Sequence, residues 1–565
     1  MAGKLNQSLE QVKDCLLTNK SFILEAGAGS GKTWTLIESL KLILEIKASE
    51  LERRNKHIAC ITYTNVAKNE IIERIENNPL VLVLTIHEFL WLAIKNFQIE
   101  LKNEILKYNE ADQRKHVEDL EYKIENVTIE YSQYGRKFEK GKITHEDVLE
   151  FSSCLFKSYP KLSYIVANKF PYIFIDEYQD TEQRTVELLL DNILADNKDN
   201  IVIGFFGDSM QKIYNQGIGK IPKNYIDDGR LTFITKTENY RCSTKVIELL
   251  GKIRPDLIQI PAGNNLQGEI CFVHCNNNLA NSDNNYSTTL KYLTDKKGWA
   301  FDKDTKILLL THKSIANKLG YENLLGVYDT LDFGRDRLLN KEELFSNFFL
   351  SKVENLIQLF NDKNYREFIN QLDIDGFKIN YHGEKSKVQS MMIELIKLRN
   401  ENSVLEVMNY LFENKLLTKP IRLDEFEIEI RKDELDESQA KRKKFYDTLM
   451  QIKYSEFILI NDYIEKYTPY STKHGVKGAE FANVLVVIDD ASWNQYKFND
   501  VFSSDKANQG RFDRSLNLLY VCCSRAKNNL ALLSLSAMDV NAMNTITNWF
   551  GGENVYNINT LPIVI

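Results

Sequence analysis

The chain has 565 residues, of which 43% are hydrophobic and 27% charged, and its formal net charge is −7. This length exceeds what a single hydrophobic core supports and predicts roughly three or four domains of about 150 residues each. The charge balance excludes a uniformly basic coat for nucleic acid, although it is compatible with a local positive groove.

The cysteines indicate neither a disulfide framework nor a zinc site. Eight Cys residues are scattered along the chain without a C-x-x-C pair. Cys271 and Cys275 flank His274 in EICFVHC, an alternation that favours a strand over a metal site. The N-terminus lacks the apolar core of a signal peptide, and no apolar run approaches about 18 residues. We therefore expect a cytoplasmic protein without a membrane partner.

Short apolar runs alternate with helix-like segments through residues 1–240. The runs are SFILEAG, HIACITYT, LVLVLTIH, PYIFIDE, IVIGFFGD and LTFITK. Because they are rich in Ile, Val and Phe and are separated by helices, they predict a parallel sheet covered on both faces. A second set, KILLLTH, NVLVVIDD and NLALLSL, predicts a second α/β domain whose sequence is split.

Two long stretches between these strands have helical composition, so each α/β domain is predicted to carry a helical insertion. The predicted boundaries are residues 1–95 and 166–240 for the first α/β domain, 96–165 for its insertion, 241–334 and 466–565 for the second α/β domain, and 335–465 for the second insertion.

Residues 26–33 read AGAGSGKT and fit the phosphate-loop pattern G-x-x-x-x-G-K-[ST], with Ala in the first position. The loop follows an apolar run and precedes a helix-like segment, which is the context that this pattern requires. Lys32 offers a cation to the β and γ phosphates of ATP, and Thr33 offers a hydroxyl to Mg²⁺. The predicted nucleotide contacts are Ala26, Gly27, Ala28, Gly29, Ser30, Gly31, Lys32 and Thr33.

Two acidic residues end the strand-like run in YIFIDEYQDT. Acidic side chains at the carboxyl end of a strand face the ligand crevice of an open α/β sheet. We therefore expect Asp176 to hold Mg²⁺ and Glu177 to orient and deprotonate an attacking water.

Further motifs, in this order and spacing, resemble those of superfamily-1 DNA helicases of the UvrD/Rep/PcrA type. They are ITYTNVAKNEI (61–71), LTIHEF (84–89), GDSMQKIY (207–214), TENYRCS (237–243), THKSIA (311–316), STKHGVKGAEF (471–481) and LLYVCCSRAK (518–527). The resemblance implies a P-loop NTPase with two RecA-like parallel-sheet motor domains, each carrying a mostly helical insertion. It also implies an ATP-dependent helicase that moves 3′ to 5′ on single-stranded or tailed duplex DNA.

The resemblance assigns further nucleotide roles. Gln11 would read adenine, Tyr240 would stack on it, and Glu480 would contact the ribose. Gln211 would sense the γ-phosphate, and Arg241 and Arg525 would stabilise charge on it, an effect worth about 10³ to 10⁵ in rate for one arginine.

Trp34 occupies a position where many relatives carry an arginine that lies flat against the base. An indole offers a similar planar face without the charge. Two interpretations remain open: Trp34 and Tyr240 sandwich adenine, or Trp34 is buried against the sheet.

The family binds one DNA strand through backbone contacts and aromatic stacking, which tolerates any base sequence. The matching positions are Thr62, Tyr63, Thr64, Asn65, His87, Phe89, Tyr214, Thr311, His312, Thr472 and His474.

One motif departs from the family. Relatives continue GDxxQ-S-I-Y with a Trp that wedges between DNA bases, whereas Gln216 stands at that position here and Gly217 replaces the adjacent Arg. Losing an aromatic platform costs about 1 to 3 kcal/mol per base.

The missing Trp and the short insertions resemble the helicase-like subunit of the two-component Gabija antiviral system, whose partner is an OLD-type nuclease. About 30 residues follow the last predicted strand, which is too few for a nuclease domain. We therefore expect any DNA cutting to come from a partner in a hetero-oligomer. The alternative to a translocase is a DNA- or nucleotide-sensing ATPase subunit that regulates this nuclease and unwinds little.

Overall fold

The computed structural model describes residues 7–111, 116–132, 135–213, 216–275, 282–374, 382–473, 475–491 and 494–562. The chain forms two compact units. Unit 1 comprises Met1–Thr289, Lys477–Val484 and Asp489–Leu561, and unit 2 comprises Leu290–Val476, Leu485–Ile488 and Pro562–Ile565. The four-part division predicted from sequence stays a prediction.

The strands include all the apolar runs of the sequence and several shorter segments. In chain order they are β1 (Phe22–Ala26), β2 (Ile58–Thr62), β3 (Val81–Thr85), β4 (Glu130–Tyr131), β5 (Lys142–Ile143), β6 (Tyr172–Asp176), β7 (Val202–Gly207), β8 (Thr232–Lys236), β9 (Glu238–Asn239), β10 (Ile260–Pro261), β11 (Glu269–His274), β12 (Thr305–Leu309), β13 (Tyr470–Thr472), β14 (Phe481–Ile488), β15 (Ala526–Ser534) and β16 (Val555–Asn557).

The α-helices supply the covering layers and the insertions. They are α1 (Gln7–Leu17), α2 (Lys32–Arg53), α3 (Asn65–Arg74), α4 (Ile86–Ile94), α5 (Gln98–Ala111), α6 (Leu120–Ile124), α7 (His145–Ser158), α8 (Lys161–Lys169), α9 (Gln183–Glu187), α10 (Asn224–Asp227), α11 (Thr244–Ile253), α12 (Ser282–Lys297), α13 (His312–Leu319), α14 (Glu322–Tyr328), α15 (Gly334–Leu339), α16 (Leu344–Ser346), α17 (Glu354–Asn361), α18 (Tyr365–Ile374), α19 (His382–Glu401), α20 (Val404–Glu413), α21 (Ile421–Ile430), α22 (Glu437–Gln451), α23 (Ser455–Ile464), α24 (Phe498–Ser503), α25 (Gln509–Cys523) and α26 (Val540–Phe550).

The six predicted strands of residues 1–240 form one sheet in the order β3-β2-β6-β7-β1-β8. Every neighbouring pair is parallel. Alternate residues of β1 enter different apolar clusters: Ile23 joins one, and Phe22 and Leu24 join the other. Side chains alternate between the faces of a strand, so the sheet is buried on both sides, as its continuous apolar runs predict.

The second sheet has the order β13-β12-β14-β15-β11-β16. Residues 269–274 (EICFVH) form β11, as predicted, and β11 pairs in parallel with β15 and β16. β13 and β16 have only three residues each, and the sequence analysis missed them because so short a run shows no periodicity. The two RecA-like α/β folds are confirmed.

The segment predicted as the first helical insertion contains a small sheet besides helices. β4 and β5 pair in parallel over two residues each. Within the part of the chain that the structure describes, no helix is both long and apolar enough to cross a membrane.

Candidate functional site

The phosphate loop joins β1 to α2. Gly29 (φ 71°) and Gly31 (φ 78°) have left-handed backbone conformations that favour glycine. Gly31 is the N-cap of α2, and no side chain caps it among the described residues, so the N–H groups at this helix end can bind an anion. The hydroxyl of Ser30 is buried and has no hydrogen-bond partner among the residues described.

The loop is held by side chains from distant parts of unit 1. The Ala28 N–H donates to the Tyr520 hydroxyl at 3.0 Å. The Ala28 carbonyl accepts from Asn239 Nδ2 and Gln259 Nε2, both at 2.9 Å. A Cβ placed on Gly29 would lie 2.7 Å from the Cβ of Arg241, so the NYR motif packs directly on the loop.

Lys32 and the two acidic residues after β6 form the charged centre of the site. Lys32 Nζ lies 2.6 Å from Glu177 Oε1. Burial lowers the pKa of Lys32, but Glu177, Asp176 and Asp208 raise it more, so the net pKa is raised. Burial raises the pKa of Glu177, but Lys32 and Lys477 outweigh it and lower the pKa to about 2. The pair is therefore ionised at neutral pH.

Asp176 and Thr33 are the expected Mg²⁺ ligands, and their chemistry fits that ion. Carboxylate and hydroxyl oxygens are hard donors of the kind that Mg²⁺ prefers. Asp176 is buried, and burial raises its pKa to about 6 despite the nearby Lys32. A buried carboxylate that is costly to ionise gains most from a bound cation. Among the described residues, no group of three or more His, Cys, Asp or Glu side chains could hold a metal ion, and Mg²⁺ in nucleotide sites commonly uses only one or two carboxylates with the phosphates.

Gln211 and Arg525 meet in the same unit. The Gln211 side chain donates to Asp208 Oδ2 at 2.8 Å and accepts from Arg525 Nη2 at 3.4 Å. Arg525 is 1% exposed, and its other hydrogen bonds go to two backbone carbonyls and the Ser524 hydroxyl. Burial and the nearby Arg241 lower the pKa of Arg525 to about 10.

Arg241 and Glu480 contact each other beside the phosphate loop. Arg241 Nε lies 2.6 Å from Glu480 Oε2, and Lys527 Nζ lies 3.8 Å from the other Glu480 oxygen. Their predicted roles on phosphate and ribose stay predictions.

Trp34 and Tyr240 flank Gly31. A Cβ on Gly31 would lie 3.8 Å from the Trp34 Cβ and 3.9 Å from Tyr240 Cδ2. Their side chains are 42% and 47% exposed, so the interpretation of Trp34 as a residue buried against the sheet is wrong. Adenine stacking between them stays a prediction, as does adenine contact by Gln11, which is exposed on α1.

The candidate DNA contacts of unit 1 differ in accessibility. Tyr63 is 51% exposed, and Thr64 caps α3. Thr62 is buried at the end of β2, and Phe89 is fully buried in the core, so Phe89 offers no surface to a strand in this fold. His87 packs on His145 with 4.5 Å between ring centroids, and burial lowers its pKa to about 4.

The candidates of unit 2 lie at the ends of two strands. Thr311 caps α13, His312 contacts the Tyr463 hydroxyl at 3.3 Å, and the Thr472 hydroxyl accepts from the Gly475 N–H. Tyr214, His474 and the Asn65 side chain lie outside the described residues.

The segment that lacks the family's Trp lies directly on the DEYQDT loop. A Cβ on Gly217 would lie 2.3 Å from the Gln179 carbonyl oxygen, so an arginine does not fit there. Gln216 lines a 430 Å³ cavity with Tyr108, Arg136 and residues of α7 and α9. The departure from the family motif is therefore part of the local packing.

Sequence reasoning missed a buried ionic network under the site. Arg254 is 1% exposed, pairs with Asp208 at 2.7 Å and contacts Glu25 more closely still. Glu25 also accepts from the Ser209 N–H and from Tyr178. A signal was present: Glu25 is a charged residue inside the otherwise apolar run FILEA.

Comparisons with known proteins agree with this geometry. A family model described as an AAA domain matches residues 10–216. The chain is 26% identical to ATP-dependent DNA helicase PcrA of Staphylococcus aureus (strain Mu50 / ATCC 700699), covering 43% of this chain and 39% of that protein. It is 26% identical to ATP-dependent DNA helicase Rep of Buchnera aphidicola subsp. Acyrthosiphon pisum, covering 41% and 42%. The chain is thus similar to UvrD-like helicases, and these relatives support an ATP-dependent, helicase-like function.

A further relative matches over nearly the whole chain. The protein is 27% identical to Gabija protein GajB of Bacillus cereus (strain HuB5-5), a match that covers 93% of this chain and 95% of that protein. Among UvrD-like helicases, this match supports a likeness to the Gabija type.

Proposed function

We propose that the chain hydrolyses ATP in order to move 3′ to 5′ along single-stranded DNA. The observation that carries this proposal is the environment of Arg525. Its guanidinium is buried and touches Gln211, and among the described residues it forms no ion pair, although the charge of Glu177 acts on it. A buried cation is costly without an anion. A nucleotide phosphate is the anion that this site, with its phosphate loop in the same unit, would bind.

The side chains have complementary tasks in this reaction. A triphosphate on the loop takes the place of Glu177 as the partner of Lys32. Without the adjacent ammonium, the pKa of Glu177 rises towards the range of a general base, and Glu177 accepts a proton from the attacking water. Arg525 and Arg241 stabilise charge on the transferred phosphoryl oxygens. Mg²⁺, held by Thr33 and Asp176, would neutralise charge on the β and γ phosphates.

A strand-displacement experiment tests this function. We expect single-stranded DNA to stimulate ATP hydrolysis, and a duplex with a 3′ tail to be unwound faster than one with a 5′ tail. If DNA stimulates no hydrolysis and neither duplex is displaced, the translocase function is rejected.

A second function is supported by the Gln216–Gly217 segment. Gly217 packs on the Gln179 carbonyl and leaves no room for the family's arginine, and Gln216 provides no aromatic platform. An ATPase subunit of an antiphage system that senses DNA or nucleotide and activates an OLD-type nuclease partner needs hydrolysis but little unwinding. Robust ATPase activity without displacement, together with nuclease activation in a reconstituted hetero-oligomer, would favour this function over the first.

A further inference from the structure

A continuous chain of hydrogen bonds joins the phosphate loop to Arg525. The Ala28 N–H donates to the Tyr520 hydroxyl at 3.0 Å, and this hydroxyl donates to Asp208 Oδ2 at 3.3 Å. Asp208 Oδ2 also accepts from Gln211, which in turn accepts from Arg525. All five residues are at most 7% exposed, so water does not compete for these bonds.

The Tyr520 hydroxyl is the junction of this chain. It has one proton to donate and lone pairs to accept, so it can serve Ala28 and Asp208 at once. Phenylalanine would fill the same space but would leave the Ala28 N–H without this partner. Tyr520 lies in the last turn of α25, and Arg525 follows two residues after this helix ends, so the junction and the arginine lie close together in the chain.

Arg254 holds Asp208, the carboxylate that accepts a hydrogen bond from the Tyr520 hydroxyl. Its guanidinium pairs with Asp208 Oδ1 at 2.7 Å, while Tyr520 and Gln211 use Oδ2. The two oxygens of the Asp208 carboxylate thus bind different partners. Arg254 also lies over the Tyr520 ring, with 5.7 Å from its Cζ to the ring centroid. Movement of Asp208 would therefore change the hydrogen bonds of both Tyr520 and Gln211.

We propose that Tyr520 is a positioning residue that couples the phosphate loop to Gln211 and so enables the site to distinguish a nucleoside triphosphate from a diphosphate. The proposal rests on the proposed nucleotide site and extends it. The loop holds phosphates that ATP and ADP share, whereas Gln211 is predicted to respond to the γ-phosphate alone. Coupling by Tyr520 therefore affects triphosphate binding more than diphosphate binding.

The test measures the ratio of Kd for ADP to Kd for ATPγS by fluorescence anisotropy. We expect Tyr520→Phe to reduce this ratio about fivefold to tenfold, the effect of one lost buried hydrogen bond, with the Kd for ADP changed less than about twofold. Tyr225→Phe is the matched control. Tyr225 is also a buried tyrosine of unit 1 whose hydroxyl donates to a carboxylate, that of Asp191 at 2.8 Å, away from the phosphate loop. We expect this control to leave the ratio unchanged.

A double-mutant cycle with Gln211→Ala separates coupling from a purely structural role. In the Gln211→Ala background, Tyr520→Phe should have no further effect on the ratio, because the side chain to which Tyr520 is coupled is absent. The inference is overturned if Tyr520→Phe behaves like Tyr225→Phe, if its effect is unchanged by Gln211→Ala, or if the wild-type chain does not discriminate the two nucleotides. Because binding is measured without turnover or DNA, missing hydrolysis or displacement would reject the proposed function separately.

Discussion

Buried charged side chains have different partners in the nucleotide site of unit 1 and in the helical part of unit 2. In unit 2, Glu456 accepts from the Leu324 N–H at 2.8 Å and from Asn323 at 3.0 Å, and Glu354 pairs with Arg399. In unit 1, Arg525 is buried and forms no ion pair among the described residues, although the charge of Glu177 acts on it. The buried carboxylates Glu456 and Glu354 of unit 2 thus have partners within the fold, whereas the buried Arg525 would gain an anionic partner only from a ligand.

The largest expected effect comes from removing the cation of the phosphate loop. Lys32→Ala should reduce ATP hydrolysis to background, because the cation that we propose for the β and γ phosphates within the loop itself is then missing. Thermal unfolding should show a folded protein. Lys41→Ala, on the exposed face of the same helix, is the control and should keep full activity. Normal turnover by Lys32→Ala would mean that the nucleotide binds elsewhere.

Removing the positive charge of Arg525 tests this difference between the two units directly. Arg525→Met should lower kcat about 10³-fold or more, as expected for an arginine that stabilises phosphoryl-transfer charge. Steady-state ATPase assays measure this change. Arg230→Met is the control, because Arg230 is an arginine of unit 1 that pairs with Asp191 and Asp228 within the fold. Equal kcat values for the two variants would contradict a catalytic role for Arg525.

The pH dependence of activity should report Asp176. Its pKa is raised to about 6, so the carboxylate is mostly protonated below that pH, and the Mg²⁺ binding that we propose for it should weaken there. At saturating ATP and fixed Mg²⁺, we expect hydrolysis at pH 5 to be about tenfold slower than at pH 7. Raising the Mg²⁺ concentration should shift the midpoint to lower pH. A midpoint that does not respond to Mg²⁺ would indicate another titrating group.

Ionisation of Asp176 should make the free energy of unfolding fall as the pH rises, whereas activity should rise. Because the folded state raises the pKa of Asp176 above its ordinary value of 3.8, the folded state binds this proton more tightly. Its contribution to stability is complete below about pH 4 and is lost as the pH rises through about 6.

The smallest expected effect on activity comes from unit 2. Glu456→Ala leaves the Leu324 N–H without its acceptor and should lower the free energy of unfolding by about 1 to 3 kcal/mol. The kcat for ATP hydrolysis should remain unchanged. Chemical denaturation and ATPase assays measure the two quantities, and Glu437→Ala on the exposed face of α22 is the control. A large loss of kcat at constant stability would show that this part of the chain acts on the nucleotide site.

The sequence predicted most of the architecture because buried strands and phosphate chemistry both leave local signals. All six strands of the first sheet were visible as apolar runs, and Asp176 was placed at a strand end by its position alone. The network of Glu25, Arg254 and Tyr520 was not predictable in this way. These residues are separated by more than two hundred positions, and their pairing depends on how α11 and α25 pack beneath the loop.

Phe89 shows that a DNA-binding role cannot be assigned to a residue from its place in a family motif alone. TIHEF places it two residues after His87, yet α4 directs it into the core while His87 stays partly exposed. Residues two apart on a helix point in different directions, so both cannot be expected to meet the same strand of DNA.

Glu177 has a left-handed backbone conformation, with φ at 52°. For a residue other than glycine this conformation costs on the order of 1 kcal/mol. Catalysis and thermostability therefore make opposite demands on this position. A directed-evolution experiment that selects only for heat resistance would favour glycine or asparagine there, and the proposed hydrolytic base would be lost.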